Sequence, residues 1–174
     1  MLSTPALWVA FAAMVPLMLL AAWSDLKYLQ IPNTLVLIVF AVFLVTGFWG
    51  LPTETFLWRL LYGVCALAIG FGLFSLGVMG GGDAKMIAAV VPFIVPEEVG
   101  AVLLIYAVCA LAFWALLKSV MMIPREHETG WYFVDQQLDK SRKRTDFPLG
   151  LIIGSTVMIY LGIHAWYSLP TGAA

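Results

Sequence analysis

Charge is what this chain of 174 residues has least of: nine Lys and Arg, ten Asp and Glu, 11% in all. A soluble domain carries roughly 25% charged residues, so a water-facing surface of ordinary kind is excluded. Cysteine is nearly absent too. Cys65 and Cys109 lie inside apolar runs, with no CxxC pair and no ligand spacing, and read as small buried hydrophobes. A cysteine-held metal or a disulfide framework is therefore excluded. His127 and His164 have no ligand partners at useful spacing, and both read as structural. No internal repeat is visible. The net charge of −1 says little by itself, because what matters is where the charges fall.

What is there is hydrocarbon. Hydrophobic residues make up 63% of the chain, arranged in several uncharged runs long enough to cross a bilayer. The first run has no basic residue before it and is too long for a signal peptide, so it is expected to remain as a helix. The fold class expected is all-α: a polytopic membrane protein with six membrane helices, the fourth one short, in a single domain over 1–174. The expected helices cover about 4–23, 35–49, 56–78, 86–95 led in from Asp83, 99–122 and 147–169. Pro16 lies within the first and need not break it, since neighbours can satisfy the freed carbonyl. Some ten apolar residues in the fourth are too few to span hydrocarbon alone, so it should be screened from lipid by its neighbours.

Charge asymmetry gives an orientation. Three loops, about 24–33, 80–85 and 124–146, face one side of a six-helix arrangement. With the helix end at Lys118 they hold every Lys and Arg except Arg59. By the positive-inside rule that side is cytoplasmic and both termini face outward. The cluster Lys140-Ser141-Arg142-Lys143-Arg144 suits anionic headgroups of the lipid bilayer. Trp131, Tyr132 and Phe133 suit an interfacial anchor or a cover for a cleft.

Two aspartates then stand out, both on the cytoplasmic face. Asp25 ends the first apolar run, in Trp23-Ser24-Asp25-Leu26-Lys27, and Asp83 follows Gly80-Gly81-Gly82. Carboxylates beside hydrocarbon are costly, and their default reading is functional. Two close carboxyl groups cannot both ionise cheaply, so one keeps a proton as acid while the other activates water as base. The competing reading pairs Asp25 with Lys27 and Asp83 with Lys85, or makes the aspartates helix caps. The triple glycine lacks the spacing of a nucleotide loop and reads as a hinge, with Gly80 and Gly82 letting a peptide or helix pass close to the backbone.

Asp25-x5-Ile31-Pro32-Asn33 followed by Gly80-x-Gly82-Asp83-x-Lys85 resembles the pattern of type IV prepilin peptidases, membrane aspartic proteases of the GxGD class. The small size is similar to the minimal branch serving Flp-type or Tad-type pili. Asp146-Phe147-Pro148-Leu149-Gly150 resembles that family's entry to its last helix. The resemblance implies cleavage of prepilin leaders at the cytoplasmic face of a bacterial inner membrane, with Asp25 and Asp83 as the catalytic pair. Gly80, Gly82, Lys27, Lys85, Pro32 and Asn33 become candidates for substrate binding. No cofactor or metal is implied, since water is the nucleophile, and nucleic acid is not an expected partner. Larger members carry a tetracysteine insertion and methylate the new pilin terminus. This chain lacks those cysteines, so methyl transfer is not expected. A preflagellin-type peptidase is the nearest alternative. A small ion-coupled transporter using the two aspartates and a non-catalytic assembly component are the rivals from other classes. Oligomeric state and the pilin's identity are left open.

Overall fold

The structure is a computed structural model, and it describes residues 2–28, 30–121 and 149–168. The 124–146 loop, with His127, the 131–133 aromatics and the basic cluster, lies outside the described residues. Six α-helices make up the described chain: α1 (Thr4–Tyr28), α2 (Asn33–Gly50), α3 (Thr53–Ser75), α4 (Gly81–Val90), α5 (Val99–Met121) and α6 (Leu149–Tyr167). Two 3₁₀ turns, Val91–Phe93 and Pro96–Glu98, join α4 to α5. No strand occurs among the described residues. All the helices but α4 are long and apolar enough to cross a membrane. The chain is an all-α polytopic membrane protein.

Several boundaries differ from those expected. The first helix runs on to Tyr28, so Asp25 and Lys27 ride its last two turns rather than a loop. Polarity alone does not end a helix, and a lysine in the last turn suits the helix dipole. The turn after it is closed by the Ser24 hydroxyl, which donates to the Gln30 carbonyl at 2.6 Å. Pro16 is accommodated inside α1, as expected. The fourth helix begins at Gly81, two residues before the expected start at Asp83, and ends at Val90 rather than near 95. Gly81 and Gly82 belong to its first turn, and it stops before Pro92, which has no N–H to continue the ladder. Two of the three glycines thus lie in the helix rather than in the connection before it. The left-handed residue that turns the chain out of α3 is Gly77, at φ 69°.

The short α4 packs against α3, α2 and α6, and Ala84, Met86, Ala88, Ala89 and Val90 are buried there. Small residues allow the close approach. A Cβ at Gly70 would stand 3.0 Å from Ala84 Cβ, and one at Gly63 would stand 2.9 Å from Pro92 Cγ. The other extensive contact runs between α1 and α6, the two ends of the chain. Here Gly154 would bring a Cβ to 3.2 Å from the Met18 carbonyl, so the α6 backbone lies directly on α1. Gly150 and Gly154 form the small-xxx-small spacing that lets helix backbones meet in a bilayer. The outer helix α5 packs chiefly on α6, and among those of its residues whose burial is described only Val102, at 9% exposure, is buried.

The end of the bundle away from the aspartates holds a polar knot that the sequence did not suggest. Arg59, in the second turn of α3, is only 3% exposed and donates from Nη1 to the Pro92 carbonyl at 3.2 Å. Glu98 accepts a hydrogen bond from the Tyr160 hydroxyl at 2.6 Å and meets His164 Nε2 at 2.8 Å. Tyr160 in turn accepts the Val95 N–H at 3.1 Å. His164 is structural, as expected, and its partner is Glu98. These bonds anchor the α4–α5 connection to α3 and α6. At the same end Ser3 donates its N–H to the Gly50 carbonyl at 2.9 Å, joining the start of α1 to the end of α2.

The centre is filled by aromatics. Phe43 has no exposed surface; it stacks on Phe56 at 5.7 Å and meets Phe93 edge-on at 5.2 Å. Phe43→Ala should cost about 3–5 kcal/mol by leaving a cavity where α2, α3 and the first 3₁₀ turn meet. Thermal unfolding in detergent measures this, with Phe48→Ala, at an exposed position, expected to be near neutral.

Candidate active site

Asp25 lies in the penultimate turn of α1, 5% exposed. Its Oδ2 accepts the Gly150 backbone N–H at 2.7 Å, from the first turn of α6. That N–H is one of the orphan donors at a helix start, and the carboxylate satisfies it. The contact requires glycine. A Cβ at position 150 would stand 2.9 Å from Asp25 Oδ2, 3.1 Å from Asp25 Cβ and 3.0 Å from Ile31 Cδ1. Gly150 was not among the expected site residues, although its spacing to Gly154 signalled a close helix contact.

Asp83 is the third residue of α4 and is half-buried. Gly80 is the N-cap, and its carbonyl accepts the Ala84 N–H at 3.1 Å. The Asp83 carboxylate, at the third helical position, reaches back to the Gly80 N–H, which is one half of a capping box. A Cβ at Gly80 would meet Asp83 Oδ2 at 2.8 Å, so glycine is needed here to admit the carboxylate rather than to bend the chain. Gly82 faces Ile31, whose Cβ would lie 3.5 Å from a Cβ added at position 82. Ile31, itself buried, thus touches the backbone beside both aspartates: Gly150 on one side, Gly82 on the other.

The two carboxyl groups feel each other. Asp83 stands outside the five membrane-crossing helices. Burial, and after it the charge of Asp25, raise its carboxyl to about 6, against the Gly80 N–H, which favours the anion. An acid of this kind keeps its proton up to about pH 6, well beyond an ordinary aspartate, while a second carboxyl stands within its field. Such a pair can deliver a proton to one atom while accepting one from another.

The other expected site residues divide into two groups. Lys85 Nζ donates to Asn33 Oδ1 at 3.0 Å, so these two tie the second turn of α4 to the start of α2. Pro32 is the N-cap of α2, with its carbonyl accepting the Leu35 N–H at 3.0 Å. Lys27 turns elsewhere: its ammonium lies 5.2 Å from the centre of the Tyr28 ring and 5.9 Å from that of Trp23. The ion pairs Asp25–Lys27 and Asp83–Lys85 are not found among the described residues, where the one ion pair is His164–Glu98. No group of three or more His, Cys, Asp or Glu side chains among the described residues is placed to hold a metal ion.

Two measurements test this geometry. Gly150→Ala should push a methyl against Asp25 and Ile31 and reduce activity about 100-fold or more, since small misplacements of reacting groups cost that much; circular dichroism should show the helices intact. The Asp83 proton is held more tightly in the folded chain (about 6) than at its ordinary value of 3.8. That stabilisation is complete below about pH 4 and is lost as pH rises through about 6. Asp83→Asn should therefore melt higher than the unaltered protein above about pH 7, with the difference closing as pH falls toward about 4.

No curated protein and no solved structure matches the chain. A family model does, over residues 12–116, more than half of the chain and including both aspartates. That model describes the type IV leader peptidase family, a family of proteases, and the chain, an all-helical multi-pass protein with two carboxyl groups gathered at one end of its bundle, belongs to it.

Proposed function

We propose that the protein is a membrane aspartic endopeptidase in which Asp25 and Asp83 act together on one peptide bond of a leader-bearing prepilin. The observation that carries this reading is that Ile31 lies against both Gly150, whose N–H binds Asp25 Oδ2 at 2.7 Å, and Gly82, next to Asp83, so both carboxyl groups stand at one end of an otherwise apolar bundle. In this reading ionised Asp25 takes a proton from water while the water oxygen attacks the scissile carbonyl carbon. Protonated Asp83 donates its proton to the carbonyl oxygen as negative charge develops there. When the tetrahedral species collapses, the C–N bond breaks and the leaving nitrogen takes the proton that Asp25 had accepted, while Asp83 recovers its own. Protons balance over the cycle, and one water is consumed.

Gly150 and Gly80 hold the two carboxyl groups by backbone N–H donors, which restricts their rotation before substrate arrives. The Lys85–Asn33 bond serves the same end by fixing the second turn of α4 against α2. The lysine and arginine distribution supports a dyad on the cytoplasmic side of a bacterial inner membrane, with both termini outward. The short connection between α1 and α2 and the absence of a tetracysteine insertion support the minimal Flp/Tad-type branch and cleavage without methylation.

Asp25→Asn and Asp83→Asn should each abolish cleavage, since asparagine keeps the shape but cannot exchange the proton. The double variant should be little worse than either single one, because the pair works as a unit. Processing of a leader-bearing pilin by purified protein, with folding followed separately, is the measurement. Near-normal processing by either single variant would exclude the dyad.

A further inference from the structure

A cavity of about 430 Å³ separates α4 from α5 and is closed behind by α6. Its lining is almost wholly apolar. The Thr156 hydroxyl, at its wall, donates to the Ile152 carbonyl of its own helix and offers nothing to an occupant. The cavity exists because α5 leans on α6 and the 96–98 turn while standing off from α4. Exposed Val99 and Leu103 on its α5 wall leave it open to the side.

One end of this cavity reaches the aspartates. Met79 and Leu149 line it, and each precedes a glycine whose N–H binds a carboxylate: Gly80 for Asp83 and Gly150 for Asp25. Tyr106, also in the lining, is close enough to Asp83 to interact with it electrostatically. From there the cavity follows α6 from Leu149 to Val157, eight residues or about 12 Å into the depth of the bundle. Its far end is bounded by Tyr62 and Pro96. An occupant that also presents a bond to the carboxylates must therefore be uncharged along about two helical turns and must lie in the membrane.

We infer that the groove between α4, α5 and α6 is the substrate subsite that receives the apolar, membrane-inserted segment adjoining the scissile bond. This rests on the peptidase reading above and adds what that reading leaves open, namely how substrate is held. The dyad supplies no side-chain selectivity. The groove selects for a chain whose cleavage site is followed or preceded by an uncharged stretch, and it rejects one with a charge within reach of Val102 or Ile153, where a buried ion would have no partner. Cleavage is thereby confined to the membrane face, since the segment must enter hydrocarbon for the bond to reach the carboxylates.

The test compares two substrates: a complete leader-bearing pilin, and a soluble peptide with the same cleavage site that stops before the apolar segment. Val102→Trp fills the groove. It should lower the ratio of kcat/KM for complete over truncated substrate by about tenfold or more, mainly through KM. Leu111→Trp, on an exposed part of α5 away from the lining, should leave the ratio unchanged. An unchanged ratio in Val102→Trp, with or without loss of overall activity, overturns the proposal. A second measurement does not depend on how that variant folds. A benzophenone amino acid in place of Leu103, in the Asp83→Asn protein, should cross-link to the apolar segment of the complete pilin on illumination. Cross-linking to lipid alone overturns the proposal and makes the groove a seat for acyl chains. The dyad reading fails by a separate result, equal cleavage with and without Asp83→Asn, so the two failures are distinguishable.

Discussion

The hydrogen bond between the Gly150 N–H and Asp25 joins the first and last helices of the bundle at the place where chemistry is proposed. A carboxylate so nearly excluded from water needs a donor, and the donor here is a helix start that itself lacks a partner. Each group answers the other's deficit. The distance can be met only because residue 150 has no side chain, and Gly154 one turn later keeps the same two backbones in contact. The α1–α6 packing and the orientation of Asp25 are thus one constraint. Ile31, wedged between Gly150 and Gly82, carries it across to α4 and the second aspartate.

Among the described residues the hydrogen-bonded charged side chains are gathered at the two ends of the bundle, with a largely aromatic and aliphatic middle between them. At one end are the aspartates, the Lys85–Asn33 bond and the capping of α4. At the other, Arg59, Glu98, Tyr160 and His164 fix the 3₁₀ turns that return the chain from α4 to α5. The short helix is held at both extremities as a result. An interior segment of ten residues cannot rely on hydrocarbon to set its depth, and these polar anchors set it instead. The asymmetry leaves α5 as the loosely packed member, and the groove beside α4 is the consequence.

The family assignment and the groove bear on each other through chemistry. The proposed peptidase must reach a bond near a membrane surface, and the carboxyl groups stand where an apolar groove ends. Two glycine N–H donors, at positions 80 and 150, hold the carboxyl groups; each is preceded in the chain by a residue that lines the groove. The same backbone turns therefore connect the reacting groups to the surface proposed to receive substrate. A shift of either turn would move both together.

Much of this was legible in the sequence because hydrophobic length and isolated charge are local signals. The run lengths yielded five long helices and a short fourth one, and the scarcity of charge made Asp25 and Asp83 conspicuous. Helix ends were less legible. The polar stretch after Trp23 suggested a loop, yet the helix continues through Asp25 to Tyr28, since polarity does not stop a hydrogen-bonded ladder. The triple glycine suggested a hinge, whereas two of its members start α4 and the left-handed turn falls at Gly77. What only the tertiary structure decided are contacts between residues far apart in the chain. These are Gly150 with Asp25 over 125 positions, Lys85 with Asn33 over 52, and Arg59 with Pro92 over 33. Each joins groups whose need for a partner is visible in the sequence but whose partner is chosen by packing. The sequence alone determined that this chain lives in a membrane with two carboxylates at one face; only helix packing decided which backbone donors hold them and where the apolar groove beside them lies, because small residues fix how closely each pair of helices can meet.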